Sequence, residues 1–185
     1  MFSKEEKDQL WAEYLPLLQS EGTAACLEKI TGSFPEPKER QQHLKFLYQT
    51  LSMRDWKDKD LGPMLEIGQA AIEDAQMLAE EDPNEEVYWK GEANVHCYNV
   101  SANLADCWSD GFIRTAQHFE AGAELARRAI AYREELKRGP GPFAMAYWAL
   151  GKHLLSLQQY REAAAAMQTS VDYGVQEAKD QGKPW

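Results

Sequence analysis

The chain is poor in the residues that build β-sheets. Its 185 residues include only 5 Val and 5 Ile, against 24 Ala and 18 Leu. β-branched side chains favour pleated sheets, whereas Ala and Leu lose little entropy in a helix. This composition excludes a sheet-based fold and predicts an all-α protein. Hydrophobic residues make up 44% of the chain, enough for a core, so wholesale disorder is also excluded.

Positive charge is also scarce. The chain carries 20 Lys and Arg against 30 Asp and Glu, a formal net charge of -10. Such a chain repels a phosphate backbone unless it has a concentrated basic patch. The densest basic stretch, within residues 124–138, is interrupted by Glu and is typical of a cationic helix C-terminus. We therefore expect an acidic protein that does not bind nucleic acid.

Long apolar runs and paired cysteines are missing as well. The most apolar stretch, residues 143–151, is far shorter than the roughly 20 residues that span a bilayer, and the charged start of the chain lacks a signal-peptide core. Three scattered cysteines, Cys26, Cys97 and Cys107, make a disulfide framework improbable. These features predict a cytoplasmic protein with no membrane partner.

Apolar residues recur at the helical period along most of the chain, and turn-forming residues divide it into about eight helices. A capping box at Ser3 and Glu6 opens the first helix, which Pro16 should kink or shorten, and a short second helix covers about residues 23–30. A third helix follows Pro37.

The second half of the chain predicts longer helices. Asp82 has the features of an N-cap, followed by Pro83 at the first helical position, and the helix they open extends over residues 84–109, including Trp108. Thr115 is expected to cap the next helix. Residues 139–142, Gly-Pro-Gly-Pro, predict a break, followed by helices over 143–157 and 160–179.

One pattern occurs twice. An Ala-Ile pair, a proline and a Tyr-Trp pair recur at offsets of 58 and 59 residues, in the order Ala71-Ile72, Pro83, Tyr88-Trp89 and then Ala129-Ile130, Pro142, Tyr147-Trp148. A reused helix end, corner and aromatic-led helix is typical of stacked antiparallel helix pairs.

The last helix pair resembles a tetratricopeptide repeat. The matching residues are Tyr147, Leu150, Gly151, Leu154, Tyr160, Ala163, Met167 and Ser170. The family's proline after the second helix is missing, and the long helix over 84–109 exceeds a 34-residue unit. The resemblance implies antiparallel helices stacked as a superhelix with elongated helices. It implies one domain over 1–185, with a cap at 1–35 and helix-pair units at 36–82, 83–138 and 139–181.

The resemblance also implies a function and a site. In this family the first helix of each pair lines a groove that binds a partner peptide. Carried over, Trp148 and Lys152 face the groove on one first helix, and Trp89, Asn94 and Tyr98 are the matching positions on the other. We therefore expect a protein-protein interaction module whose partner is a protein or peptide.

No catalytic or metal-binding motif occurs in the chain. HExxH, CxxC, GxSxG and Walker motifs are missing, and no two of the four histidines have the i, i+4 spacing of a helical zinc site. We expect no enzymatic activity, no metal and no cofactor.

Two alternatives stay open. An all-α enzyme or small-ligand carrier would place a pocket along the long helix, with polar groups from His96, Tyr98, Asn99 and Asn103. Alternatively, the chain is a component of a larger complex and has no ligand of its own. The leading hypothesis itself includes a homo-oligomer formed through exposed helix faces.

Overall fold

The computed structural model describes residues 2–183, so Met1, Pro184 and Trp185 of the predicted domain lie outside the described residues. The fold is all-α, as predicted, but the described residues form seven helices rather than eight. Their bounds are α1 Lys4–Ser33, α2 Pro37–Met53, α3 Leu61–Glu81, α4 Glu86–Leu104, α5 Ala116–Glu135, α6 Pro140–Ser156 and α7 Tyr160–Asp180.

The helices pack mainly in sequence order as antiparallel neighbours. From α2 to α7, each helix packs against the next, and α2 and α6 also touch α4, which makes α4 the central helix. Each predicted unit range contains one helix pair, α2–α3, α4–α5 and α6–α7. The division of the chain into such units stays a prediction, as does the superhelix.

The first two predicted helices are one element with an internal kink. α1 continues through Pro16, and its helical geometry is interrupted at Gly22, where φ is +84° and ψ is -176°. The capping box at Ser3 and Glu6 is confirmed, since the Glu6 N–H donates to Ser3 Oγ at 3.3 Å. The boundary between the two predicted helices is therefore a glycine kink within α1, next to the predicted start of the second helix.

The start and end of the long helix were both predicted wrongly. Asp82 does not cap α4; its Oδ1 accepts the Asn84 N–H at 2.9 Å in a turn, and α4 begins at Glu86. α4 ends at Leu104 because the Arg114 guanidinium donates to the carbonyls of Asn103 and Leu104, at 3.0 and 3.2 Å. α4 therefore has 19 residues, and Trp108 lies outside it.

The Gly-Pro-Gly-Pro segment is not a break before α6 but its first turn. Pro140 occupies the first helical position, where no backbone N–H is needed, and Gly139 is the N-cap. The Gly141 N–H donates to the Glu177 carboxylate on α7 at 2.8 Å. A side chain from another helix thus satisfies this terminus, a contact that local sequence does not reveal.

Buried histidines connect the layers of the core. A hydrogen bond of 3.0 Å joins His43 Nδ1 on α2 to the Tyr14 hydroxyl of α1. A second, also of 3.0 Å, joins His96 Nδ1 on α4 to the Tyr48 hydroxyl of α2. His153 on α6 lies 3.2 Å from the Ser101 hydroxyl of α4. Each of these imidazoles is buried and bonded to a hydroxyl on an earlier helix.

No helix within residues 2–183 is long and apolar enough to cross a membrane.

Candidate functional site: an aromatic face beside α4 and α6

Two tryptophans form a pair beside α4 and α6, one exposed and one half-buried. Trp148 lies on α6 and is half-buried, whereas Trp108 follows the end of α4 and is 49% exposed. Their rings meet edge to face, with centroids 6.4 Å apart. The Trp108 indole N–H donates to the Ala102 carbonyl at 2.8 Å, which holds the ring at the end of α4. Indole surface is therefore presented to solvent in a fixed orientation.

Lys152 lies one helical turn after Trp148 on α6, so the two side chains share a face of that helix. Burial raises the pKa of Tyr98, and Cys107 adds to that rise. Burial also raises the pKa of the Cys107 thiol, and the nearby Lys152 charge opposes this. No carboxylate of residues 2–183 forms an ion pair with Lys152. We call Trp108, Trp148 and Lys152 the aromatic face.

A buried arginine holds the Tyr98 ring on α4 in place. The Arg133 guanidinium lies 5.0 Å from the Tyr98 ring centroid and its Nε donates to Asn94 Oδ1 at 2.9 Å, while another nitrogen donates to the Pro142 carbonyl. Arg133 is only 4% exposed, and this burial lowers its pKa to about 10. The arginine thereby joins α5 to α4 and to the first turn of α6, and it orients Tyr98.

Of the five predicted site residues, Trp148 and Lys152 lie four residues apart and share a face of α6. Tyr98 lies on α4, where its ring packs over the buried Arg133. Asn94 is buried and accepts from Arg133, so its amide is used inside the protein. Trp89 is 2% exposed and packs in a separate cluster with Leu78 and Ala79. Trp89 and Trp148 differ, although the repeat aligns them, because other helices surround the central α4.

Trp108 was not among the predicted site residues, because it was assigned to a helix over residues 84–109. Ser109, Asp110 and Gly111 directly after it are turn-forming residue types, and helices commonly end before such residues. They indicate a helix end near residue 109, five residues later than the observed end at Leu104.

Polar residues of the alternative hypothesis, a pocket along the long helix, bond to other residues of the protein. His96 is fully buried, with its Nε2 2.7 Å from Gln41 Oε1 and its Nδ1 3.0 Å from the Tyr48 hydroxyl. The Asn99 amide donates to Tyr48 at 3.4 Å. The cleft lined by Gln76, Lys90 and Tyr132 does not include these residues or Asn103, and neither does the cleft lined by Leu17 and Lys29.

Metal ligands do not converge in the described part of the chain, where no group of three His, Cys, Asp or Glu side chains could hold an ion. Comparison of the chain with protein-family models, curated proteins and solved structures gives no match. The residues and their geometry therefore carry the functional argument.

Proposed function

We propose that this protein is a non-enzymatic interaction module that binds a peptide or protein segment on the aromatic face. The Trp108–Trp148 pair carries this proposal, because Trp108 is 49% exposed and the half-buried Trp148 meets it edge to face. Exposed tryptophans cost solvation free energy in the unbound protein, and Trp and Tyr are the residues that most often anchor partners. Lys152 adds a cation that has no ion-pair partner within residues 2–183 and is free to meet a polar group of the partner.

We further propose that the helix pairs are tetratricopeptide-like. Close packing at Gly151 supports this, because an added Cβ there would lie 2.8 Å from Met167 Cγ on α7. The ring of Tyr147, one of the residues that match the repeat, stacks on Tyr173 of α7 with centroids 5.9 Å apart.

The buried histidines lend independent support to a repeated unit. His43 and Tyr48 are five residues apart on α2, and His96 and Ser101 are five apart on α4. In both helices the imidazole bonds to the preceding layer and the hydroxyl bonds to the imidazole of the following one. A unit that repeats this pair would build α2 and α4 as equivalent first helices.

The proposed location of this module is the cytoplasm. Its proposed partner is a protein or peptide rather than nucleic acid, because a net charge of -10 repels a phosphate backbone. Self-association through the same aromatic face is the competing form of the proposal. Light scattering of the purified chain separates the two, because self-association would raise the measured mass with concentration.

Removal of the Trp148 ring tests the proposal. We expect Trp148→Ala to weaken partner binding by more than about 1 kcal/mol, roughly fivefold in Kd, because an anchoring tryptophan contributes that much or more. The wild-type chain and the variant are used as baits in the native lysate, and captured proteins are quantified by mass spectrometry. Affinity for the captured partner is then measured with purified proteins.

Val87→Ala is the matched control. Val87 is 70% exposed and lies in the first turn of α4, whereas Trp108 follows the opposite end of that helix. It should leave binding unchanged. Equal affinity of the wild-type and Trp148→Ala proteins, with both folded by circular dichroism, would remove the aromatic face as the binding site.

A further inference from the structure

A cleft separate from the aromatic face opens where α3 ends, α4 begins and α5 ends. Its volume is about 430 Å³. Small and apolar residues form part of its wall, and polar residues surround them. The lining residues are Gln76, Ala79, Glu80, Pro83, Glu86, Lys90, Ala93 and Tyr132. A space of this size accommodates a small organic group together with water.

The only cation that lines the cleft is already engaged. Lys90 Nζ lies 2.6 Å from the Glu86 carboxylate and also pairs with Glu135 on α5. These two carboxylates raise the pKa of Lys90, so it stays protonated. Lys90 is therefore neutralised by the protein and leaves no excess positive charge for an anionic ligand.

Glu80 is the acidic group that the cleft leaves without a partner. Within residues 2–183 its carboxylate has neither an ion pair nor a hydrogen bond, although it lines the cleft. Deeper groups bond to one another, since the Gln76 amide donates to the Tyr132 hydroxyl at 2.7 Å and accepts from Arg128 at 3.0 Å. Arg128 itself does not line the cleft.

The helix geometry strengthens the negative potential at this site. α3 ends at Glu81, and its last turn has no basic residue. A helix C-terminus carries partial negative charge, so acidic side chains there are unfavourable for the free protein. The exposed Glu80 carboxylate therefore lies where the helix end adds to its negative potential.

From this geometry we infer that the cleft binds a primary ammonium or guanidinium group at the end of a short aliphatic chain. The aliphatic part packs against Ala79, Pro83 and Ala93, and the cation meets the Glu80 carboxylate beside the Tyr132 ring. Two sources supply this chemistry, a free diamine or the side chain of a Lys or Arg in a partner peptide.

Titration with 1,5-diaminopentane tests the inference on the full-length chain. Binding is followed by heteronuclear NMR shifts of α3 and α4 amides, with 1,5-pentanediol as a neutral probe of equal length. We expect saturable shifts with the diamine and none with the diol. Glu80→Gln should weaken diamine binding about fivefold, the upper range for one exposed ion pair.

Glu66→Gln is the matched control, because Glu66 is also an exposed glutamate of α3 but lies fourteen residues earlier, about 21 Å along the helix. It should leave diamine affinity unchanged. Equal weakening by both variants would mean general attraction to an acidic protein and would overturn the site, as would absence of saturable binding to the wild-type chain.

The source of the cation is separated by a second titration with N-acetyl-lysine methylamide. Tighter binding of this compound than of the diamine favours a peptide side chain, and the reverse order favours a free amine. Both orders support the cleft as a cation site. Circular dichroism melting shows that Glu80→Gln is folded, so that loss of binding reports on the carboxylate.

Discussion

At the level of single residues, the buried imidazoles need their hydrogen bonds to be tolerated in the core. Gln41 Oε1 only accepts, so the proton of His96 is on Nε2 and its Nδ1 accepts from Tyr48. This satisfies both nitrogens of a neutral ring. His153 differs, because its Nε2 donates to the Ser101 carbonyl at 2.9 Å while its buried Nδ1 has no partner within residues 2–183.

His153 is held in this arrangement by the absence of a side chain at Gly122. An added Cβ at Gly122 on α5 would overlap the His153 ring, with Nδ1 2.7 Å away. We expect Gly122→Ala to destabilise the protein by about 1–3 kcal/mol, because overpacking displaces the ring and its bond to Ser101. Urea unfolding monitored by circular dichroism measures this loss.

Gly32→Ala provides the comparison for Gly122→Ala. Gly32 is also in a helix, but a Cβ there would meet nothing within 4 Å. This change should be neutral or stabilising by up to about 1 kcal/mol, since Ala has the higher helix propensity. A similar gain in stability for Gly122→Ala would show that the α5–α6 contact is not tight at this point.

At the level of helices, α1 shows that a proline need not end a helix. Pro16 lies within α1, and the carbonyl of Pro16 accepts the Ser20 hydroxyl at 2.9 Å. The kink lies instead at Gly22, whose φ of +84° with extended ψ is open almost only to glycine. The kink lets both halves of α1 bury residues, Tyr14 in the first and Ile30 in the second.

Because the backbone at Gly22 is strained for any other residue, Gly22→Ala should destabilise the protein by about 1–3 kcal/mol. A Cβ there would meet nothing within 4 Å, so any loss comes from the backbone rather than from a clash. Urea unfolding of the wild-type and Gly22→Ala proteins measures this difference in the free energy of unfolding. An unchanged value would indicate that α1 straightens without loss of packing.

Across the whole molecule, the buried histidines make stability depend on pH. Burial lowers the pKa of His96 to about 3 and that of His153 to about 4, and it lowers the pKa of His43 as well. The histidines of the unfolded chain therefore bind protons near pH 6.5, whereas those of the folded chain stay neutral at that pH. This contribution to stability is complete above pH 6.5 and is lost as pH falls toward 4 and 3.

We expect the free energy of unfolding to fall by about 2 kcal/mol for each of His96 and His153 between pH 7 and pH 5. Urea unfolding at several pH values measures the total, and the imidazole C–H resonances in NMR report each site. Titration of either ring near pH 6.5 in the folded protein would contradict the assignment of a neutral, buried imidazole.

Most of the helical architecture could be predicted because helix formation depends on local periodicity. α7 begins at Tyr160 as predicted, and α5 is capped by Thr115 as predicted. The errors arose where distant groups decide a terminus. Arg114 ends α4 early, and Glu177 satisfies the start of α6 from another helix.

The sequence by itself determined the all-α class and the positions of the helices, because Ala, Leu and turn residues act through neighbours in the chain. It also placed Tyr98, Trp148 and Lys152 among the site candidates. Only the tertiary structure decided that Trp108 joins Trp148, forty residues away, and that Trp89 is buried. Exposure of a side chain depends on which helices surround it, and that packing is not encoded in local periodicity.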